Sequence, residues 1–290
     1  MRRSLLFIPA SKPAMLQNAE IFGADSIIFD LEDSVSVDEK DSARILLSQF
    51  LISFNLDKVE VCVRVNDLHS PFFVDDLNAM INKKVDTIVL PKANVRDVEF
   101  LDKFLLKMEL ERNILKTINI IPIIETCEAV NQINEIVKIN RVNGLLLGGE
   151  DLTNDLEVSR TIDGWEIFYP RTKIAYACKA RGIDAIDTPY INTLDEEGLI
   201  LDTKKAKSLG LNAKCAIHPN QVSVINEILS PSIEEIEYAS RVMIAVEKSN
   251  DKGVFSLDGK MIDKPIINKA KKVLEKAKKF GLKVGAKDEK

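Results

Sequence analysis

Ile118-Asn-Ile-Ile-Pro-Ile-Ile-Glu125 and, after a helix-like run, Gly144-Leu-Leu-Leu-Gly-Gly-Glu-Asp151 form the stretch whose reading decides the fold. Each apolar run is too short for a helix, rich in Ile or Leu, and reads as a strand buried on both faces. Each also stops abruptly at a carboxylate: Glu125 on the first, Glu150 and Asp151 on the second. Two consecutive parallel strands joined through a helix lie side by side or nearly so, and their last residues project from the same end of the sheet. Glu125 and Asp151 are therefore expected to meet in space. Carboxylates gathered there repel one another unless they share a proton or a cation. Two of them, with waters and substrate oxygens, make a Mg²⁺ site. Acidic residues after strands also serve as helix caps or solvated loop positions, and the rest of the chain has to decide between these uses.

Outward from this stretch the pattern repeats. Strands are predicted at 4–9, 26–32, 59–66, 86–92, 118–125, 144–148, 184–189 and 212–219, with helices over 13–22, 38–50, 72–81, 95–111, 128–139, 165–180, 195–209 and 221–229. Ser11 and Pro13 mark one helix start, and Gly23, Gly182 and Gly210 close three helices. A longer polar loop is expected after Asp151. The strand starts recur about every 30 residues, and eight such units in a chain of 290 residues imply a closed (β/α)8 TIM barrel over 1–230. Such a barrel carries its chemistry at the C-terminal ends of its strands. Those ends hold Asp30, Glu32, Asp33, Arg64, Asn66, Lys92, Glu125, Glu150, Asp151, Asp187 and His218. Beyond the barrel, residues 231–290 read as a helix, an Asp-Gly hairpin and a Lys-rich amphipathic helix. This arm is expected to serve as a lid or to pack at a subunit interface. Its lysines are read as a solvated helix face.

Composition removes several classes of function. A net charge of −5 and a pI near 5.4 argue against a general nucleic-acid binder. No run of apolar residues is long enough to span a membrane. Met1-Arg-Arg followed by Leu5-Leu-Phe-Ile8 has the order of a secretory leader, but its apolar part is short and runs into Pro9, so none is expected. Cys62, Cys127, Cys178 and Cys215 form no CxxC pair and are expected as buried, reduced thiols in a cytoplasmic protein. Two histidines make a His-rich zinc centre implausible. A glycine-rich phosphate loop is absent, which argues against a nucleotide hydrolase. Trp165 is read as packing.

The segments Arg3-Ser-Leu-Leu-Phe-Ile-Pro9, Gly23-Ala-Asp-Ser-Ile-Ile-Phe-Asp-Leu-Glu-Asp33, Val63-Arg-Val-Asn66, Leu90-Pro-Lys92, Ile123-Ile-Glu-Thr126, Gly148-Gly-Glu-Asp-Leu152, Ala185-Ile-Asp-Thr-Pro189, Lys214-Cys-Ala-Ile-His-Pro219 and Asp258-Gly-Lys-Met-Ile-Asp263 run in order through nearly the whole chain. Together they resemble the citrate lyase β-subunit family, which groups with the malyl-CoA and citramalyl-CoA lyases. The resemblance implies Mg²⁺ and cleavage of a 3-hydroxyacyl thioester, here a citryl thioester giving oxaloacetate and an acetyl thioester. It implies that Glu125 and Asp151 hold the metal and that Arg64 binds substrate. It also implies that Asp263, on the arm, reaches an active site of its own or a neighbouring subunit. Gly149 stands where relatives usually carry Ala, a difference expected to matter little.

The chemistry gives each group a task. Glu125 serves both metal and substrate chelation, and Arg64 faces the enolate oxygen or a substrate carboxylate. Asp263 is a candidate acid or base, and Asp33 joins Arg64 and Asp263 among the expected catalytic residues. Asp30, Glu32 and Asp33 could orient metal waters, although for Asp33 helix capping is an equal alternative. Lys92 and His218 could face a phosphopantetheine arm, with a structural role preferred for His218. The expected partners are an acyl-CoA or acyl-carrier-protein thioester, other citrate lyase subunits and further copies of the chain. Alternatives are a malyl-, methylmalyl- or citramalyl-CoA lyase, a related thioester hydrolase or synthase, and a non-catalytic subunit that docks an acyl carrier.

Overall fold

The computed structural model describes residues 1–248 and 255–283. They belong to two compact units, Met1–Leu229 and Ser230–Lys290. The first contains β1 (Ser4–Pro9), α1 (Pro13–Gln17), β2 (Ser26–Asp30), α2 (Lys40–Ser53), β3 (Glu60–Arg64), α3 (Phe73–Met80), β4 (Thr87–Leu90) and α4 (Val95–Glu111). It continues with β5 (Asn119–Ile124), α5 (Cys127–Ile136), β6 (Gly144–Leu147), α6 (Gly149–Asp155), α7 (Phe168–Arg181), β7 (Asp184–Asp187), α8 (Glu196–Leu209), β8 (Ala213–Ala216) and α9 (Asn220–Leu229). The eight parallel strands close in sequence order, and β8 returns to β1 with Leu5 opposite Cys215. The expected (β/α)8 barrel is therefore the fold.

Side chains alternate along each strand between the barrel interior and the helical shell. Leu5 and Phe7 on β1, Ile28 on β2, Cys62 on β3, Val89 on β4, Ile121 and Ile123 on β5, Leu146 on β6, Ile186 on β7 and Ala213 and Cys215 on β8 form the interior cluster. Their neighbours Leu6, Ile27, Val61, Val63, Ile120 and Leu145 pack outward against the helices. Both faces are apolar, which is why the strands read as unbroken hydrophobic runs. Burying each Ile side chain of β5 stabilises the fold by about 1.5–3 kcal/mol.

The N-terminal end of the barrel is closed by charge. Arg2 bonds both Glu60 and Asp184, while Ser26 and Thr87 also donate to Glu60. Burial would raise the Glu60 carboxyl, but Arg2 outweighs it and holds the group at about 2. Sequence reading did not anticipate this plug.

Several elements are shorter than expected or differ in kind. The first helix stops at Gln17, and residues 19–22 make a turn of 3-10 helix ending at Gly23 with φ +74°. The first part of the polar loop expected after Asp151 is instead α6, which already begins at Gly149 and ends at Asp155, and the loop follows it up to Gly164, with Arg160 and Thr161 in it. Thr153 Oγ1 bonds back to the Gly149 carbonyl within this turn. Cys62, Cys178 and Cys215 are buried free thiols and Cys127 is half-buried. Trp165 departs from expectation: it is 74% exposed, with its ring 5.5 Å from that of Phe168.

The second unit contains α10 (Ile233–Lys248), the antiparallel pair β9 (Phe255–Leu257) and β10 (Lys260–Ile262), and α11 (Lys264–Lys279). The Asp-Gly signal makes the hairpin turn, Asp258 and Gly259 both having positive φ, 53° and 73°. The turn expected at 250–254 lies outside the described residues. Ala239, Val242, Ile262 and Ala270 make a small core joining the two helices. Lys264, Lys269, Lys271, Lys272, Lys278 and Lys279 are exposed, a solvated face as read. Among the described residues no helix is long and apolar enough to cross a membrane.

Candidate active site

The two-residue alternation continues past the strand ends and determines what faces the barrel mouth. Inward positions Ile28, Cys62, Ile123, Leu146, Ile186 and Cys215 are followed two residues later by Asp30, Arg64, Glu125, Gly148, Thr188 and Ile217. All six later residues line one cavity of about 410 Å³, together with Phe7, Pro9, Asp33, Ser34, Gly149, Glu150, Asp151 and Pro189. Its floor is the apolar interior and its rim is acidic.

Arg64 is the cation of that rim. Nε and Nη2 bond the two Asp30 oxygens, each at 2.7 Å, a bidentate pair. Nη1 lies 3.2 Å from Asp33 Oδ2 and 2.9 Å from Glu32 Oε2. The Glu32 approach is a charge contact without hydrogen-bond alignment, and this buried oxygen has no hydrogen-bond partner. The guanidinium carbon sits 5.0 Å over the Phe7 ring. Three of the five guanidinium N–H groups bond Asp30 and Asp33, which leaves one on Nη1, beside Glu32, and one on Nη2. Burial acts to lower the guanidinium pKa, but the surrounding carboxylates raise it. Asp30 is buried too, yet Arg64 pulls its carboxyl below the ordinary range.

The loop carrying Glu32 and Asp33 is pinned from behind. Buried Lys40 donates to the carbonyls of Leu31 and Glu32, at 2.8 and 2.7 Å, so the acidic side chains face the mouth. Burial lowers the Lys40 pKa against the pull of the nearby acids. Asp33 reaches Arg64, which favours its electrostatic use over helix capping.

Glu125 and Asp151 both line the cavity, from the end of β5 and the first turn of α6. Glu125 is 4% exposed and accepts from the Lys92 backbone N–H at 2.5 Å. Its carboxyl is pushed up to about 7 by burial and by Asp151, against the effect of the Lys92 N–H. Glu32 is pushed higher, to about 8, by burial and by Asp33, Glu125 and Asp30, although Arg64 opposes the shift. The mouth thus gathers Asp30, Glu32, Asp33, Glu125 and Asp151 around the Arg64 guanidinium, with Glu150 paired to Arg160 at the rim, a surplus of carboxyl groups that suits a cation. Its donors are all oxygen. No group of three or more His, Cys, Asp or Glu in metal-holding positions exists among the described residues. Two carboxylates with water and substrate oxygens match magnesium, which keeps several waters, better than a fully protein-built cage.

Other expected residues lie elsewhere. Asn66 is buried and bonds Leu31 O and Asp76. Asp187 is fully buried in an ionic cluster with Arg171 and Lys214. Exposed His218 engages Asn220 through Nδ1 and does not line the cavity, which supports its structural reading. The Lys92 side chain is exposed, while its backbone, at φ 50°, supplies the N–H to Glu125. Glu150 pairs with Arg160 on the rim. Asp263 belongs to the second unit and caps α11, accepting from Ile266 N at 3.2 Å. Phe7, Gly148 and Thr188 were missed as site residues; extending the inward alternation by one step would have found them.

A family model described as HpcH/HpaI aldolase/citrate lyase matches residues 3–219. Citrate lyase subunit beta of Leuconostoc mesenteroides subsp. cremoris is 38% identical over 283 residues, covering 96% of this chain and 93% of that protein. Mitochondrial citramalyl-CoA lyase of Rattus norvegicus is 31% identical over 288 residues, covering 94% of this chain and 85% of that protein. The crystal structure of the protein CitE from Mycobacterium tuberculosis, in complex with magnesium, acetoacetate and coenzyme A, superposes with a TM-score of 0.78 at 29% identity. That match covers 96% of this chain and 98% of that one.

Proposed function

The chain belongs to the HpcH/HpaI aldolase/citrate lyase family, and from that premise we propose that it is a magnesium-dependent carbon–carbon lyase of the citrate lyase β-subunit type. It cleaves a citryl thioester to oxaloacetate and an acetyl thioester. The observation that carries this reading is the meeting of Glu125, Asp151 and Arg64 around one cavity with an apolar floor. Citrate lyase subunit beta is the relative of higher identity, 38% against 31% for citramalyl-CoA lyase.

The residues divide the work. Glu125 and Asp151 hold Mg²⁺, which when bound supplies Lewis acidity toward the substrate hydroxyl and its neighbouring carboxylate. Arg64, fixed by Asp30 and backed by Phe7, keeps its free Nη2 N–H for the oxygen on which enolate charge develops, or for a substrate carboxylate. Asp33 and Glu32 hold that guanidinium in place and would orient the waters of a bound metal. Phe7, Ile123 and Leu146 keep water from the breaking bond. Asp263 is the residue to move a proton at the enolate carbon, in its own or a neighbouring subunit. The thioester arrives on CoA or on an acyl carrier protein, and the chain works in the cytoplasm as a homo-oligomer or beside other citrate lyase subunits.

The test is to supply citryl-CoA and Mg²⁺ and follow oxaloacetate, with malyl-CoA and citramalyl-CoA in parallel. Oxaloacetate formation is expected, and EDTA should abolish it. Glu125→Gln should lower kcat/KM by about 10³-fold or more, the several kcal/mol that a metal contributes to transition-state stabilisation. Turnover of citramalyl-CoA alone would move the substrate while keeping the site. No turnover of any thioester by folded, Mg²⁺-binding protein would end the reading as a free-standing enzyme.

A further inference from the structure

Behind the metal carboxylates lies a buried ionic cluster that the proposed chemistry leaves unused. Arg171 Nε and Nη2 bond the two oxygens of Asp187 at 2.8 and 2.9 Å, and Nη2 also reaches Asp202 Oδ1 at 2.7 Å. Lys214 Nζ contacts Asp187 Oδ2 at 2.6 Å, Asp202 Oδ2 at 2.7 Å and the Thr188 carbonyl at 2.7 Å. Arg171, Asp187 and Lys214 are completely buried and Thr188 is 1% exposed. Two cations face two carboxylates, so the cluster is neutral. An ammonium has three donors, and each of these has its own acceptor, which leaves Lys214 no freedom to rotate away from Thr188.

Thr188 carries this constraint to the mouth. Its Oγ1 accepts from Gly149 N at 3.1 Å, between buried groups. Gly149 opens α6, whose first turn holds Asp151. The Gly149 backbone packs directly against the Thr188 side chain: a Cβ on Gly149 would lie 2.9 Å from Thr188 Oγ1 and 3.1 Å from its Cγ2. On the other side, a Cβ on Gly148 would lie 2.5 Å from both Cβ and Oε2 of Glu125. The Gly148–Gly149 segment is thus wedged between Glu125 and Thr188, and the position of Thr188 decides where α6 starts relative to Glu125. At Gly149 an added methyl would press on the Thr188 side chain, so the glycine leaves room for this contact.

We infer that Thr188, held by the Arg171–Asp187–Lys214–Asp202 cluster, is a positioning residue that sets Asp151 against Glu125 for divalent-cation binding. This rests on the metal reading of Glu125 and Asp151. Buried ion clusters add little net stability but strongly penalise the loss of one member, so they specify geometry. Groups that orient metal ligands contribute about ten- to a hundredfold to metal affinity.

The experiment measures Mn²⁺ affinity by titration calorimetry on the full chain with no thioester present, so the readout is independent of lyase activity. Thr188→Val keeps the shape and removes the acceptor; Thr188→Ala removes it without placing a new methyl against Gly149; Thr188→Ser keeps it. Weakening by about tenfold in the Val and Ala variants, with the Ser variant within about twofold of wild type, is expected. If the Val variant does not melt cooperatively, the Ala variant decides. Wild-type affinity in the hydroxyl-free variants, or an equal loss in the Ser variant, overturns the positioning role while the metal site stands. A wild-type protein that takes up no Mn²⁺ overturns the metal reading and this role with it.

Discussion

Glu125 and Glu32 are the residues at which burial and charge act most visibly. Burial and like-charged neighbours raise both from the ordinary 4.5, to about 7 and about 8. For a carboxyl whose folded pKa lies above its unfolded one, folding favours the protonated form. Its stabilising contribution is complete below about pH 4.5 and is lost as pH rises through about 7 and 8. Metal-free protein is therefore expected to melt lower at pH 8.5 than at pH 6, and Mg²⁺ should recover most of the difference at pH 8.5, where it replaces the lost protons. Because metal and proton compete for Glu125, apparent Mg²⁺ affinity should fall about fivefold between pH 7 and pH 6. Scanning fluorimetry and calorimetry across that range check both; a melting temperature indifferent to pH and metal would remove the cation from the site. Glu125, Asp151 and Arg64 could be read from sequence because a charged residue ending an apolar run has no core to enter. The place of Thr188 at the mouth follows from the same alternation, but its hydrogen bond from Gly149 does not, since nothing around it in sequence marks a hydroxyl as bonded across to another strand end.

Among the elements, α6 separates local pattern from packing. The sequence after Asp151 is polar and reads as loop, yet α6 starts at Gly149 because the segment leaves β6 between two neighbouring strand ends. Gly148 has φ −90°, which any residue can adopt, so the backbone alone would accept alanine. Space does not: the added Cβ would meet Glu125 at 2.5 Å. Gly148→Ala is expected to weaken Mg²⁺ binding at least tenfold and to cost about 1–3 kcal/mol of stability through overpacking, with an unchanged far-ultraviolet circular dichroism spectrum. Wild-type metal affinity in this variant would show that Glu125 tolerates displacement. Strand existence was readable throughout, because each interior and outward row is apolar. Strand ends were not: β7 stops at Asp187 and β8 at Ala216, where continuing residues still look extended but lose their ladder partners.

For the whole molecule, the barrel unit holds every residue lining the acidic cavity, whereas Asp263 lies in the other unit. Its carboxylate caps α11, so a loss of activity after mutation could reflect either proton transfer or a frayed helix. Asparagine caps nearly as well as aspartate but cannot exchange a proton. Asp263→Asn is expected to keep the wild-type melting temperature and Mg²⁺ affinity while lowering kcat by about 10²-fold or more, and Asp263→Ala to lower both kcat and melting temperature. Unchanged turnover in both variants would confine Asp263 to capping. From sequence alone came the eight-fold alternation, the barrel, the acidic strand ends and the appended arm. These follow from local periodicity, since apolar runs of strand length must be buried wherever they are placed. Tertiary structure alone decided which of those charged ends face the mouth. Asp30, Arg64 and Glu125 lie on the inward row, while Asp187 turns outward into a buried ionic cluster. One step along a strand reverses the side a residue faces, and only closure of the barrel determines which side is the site.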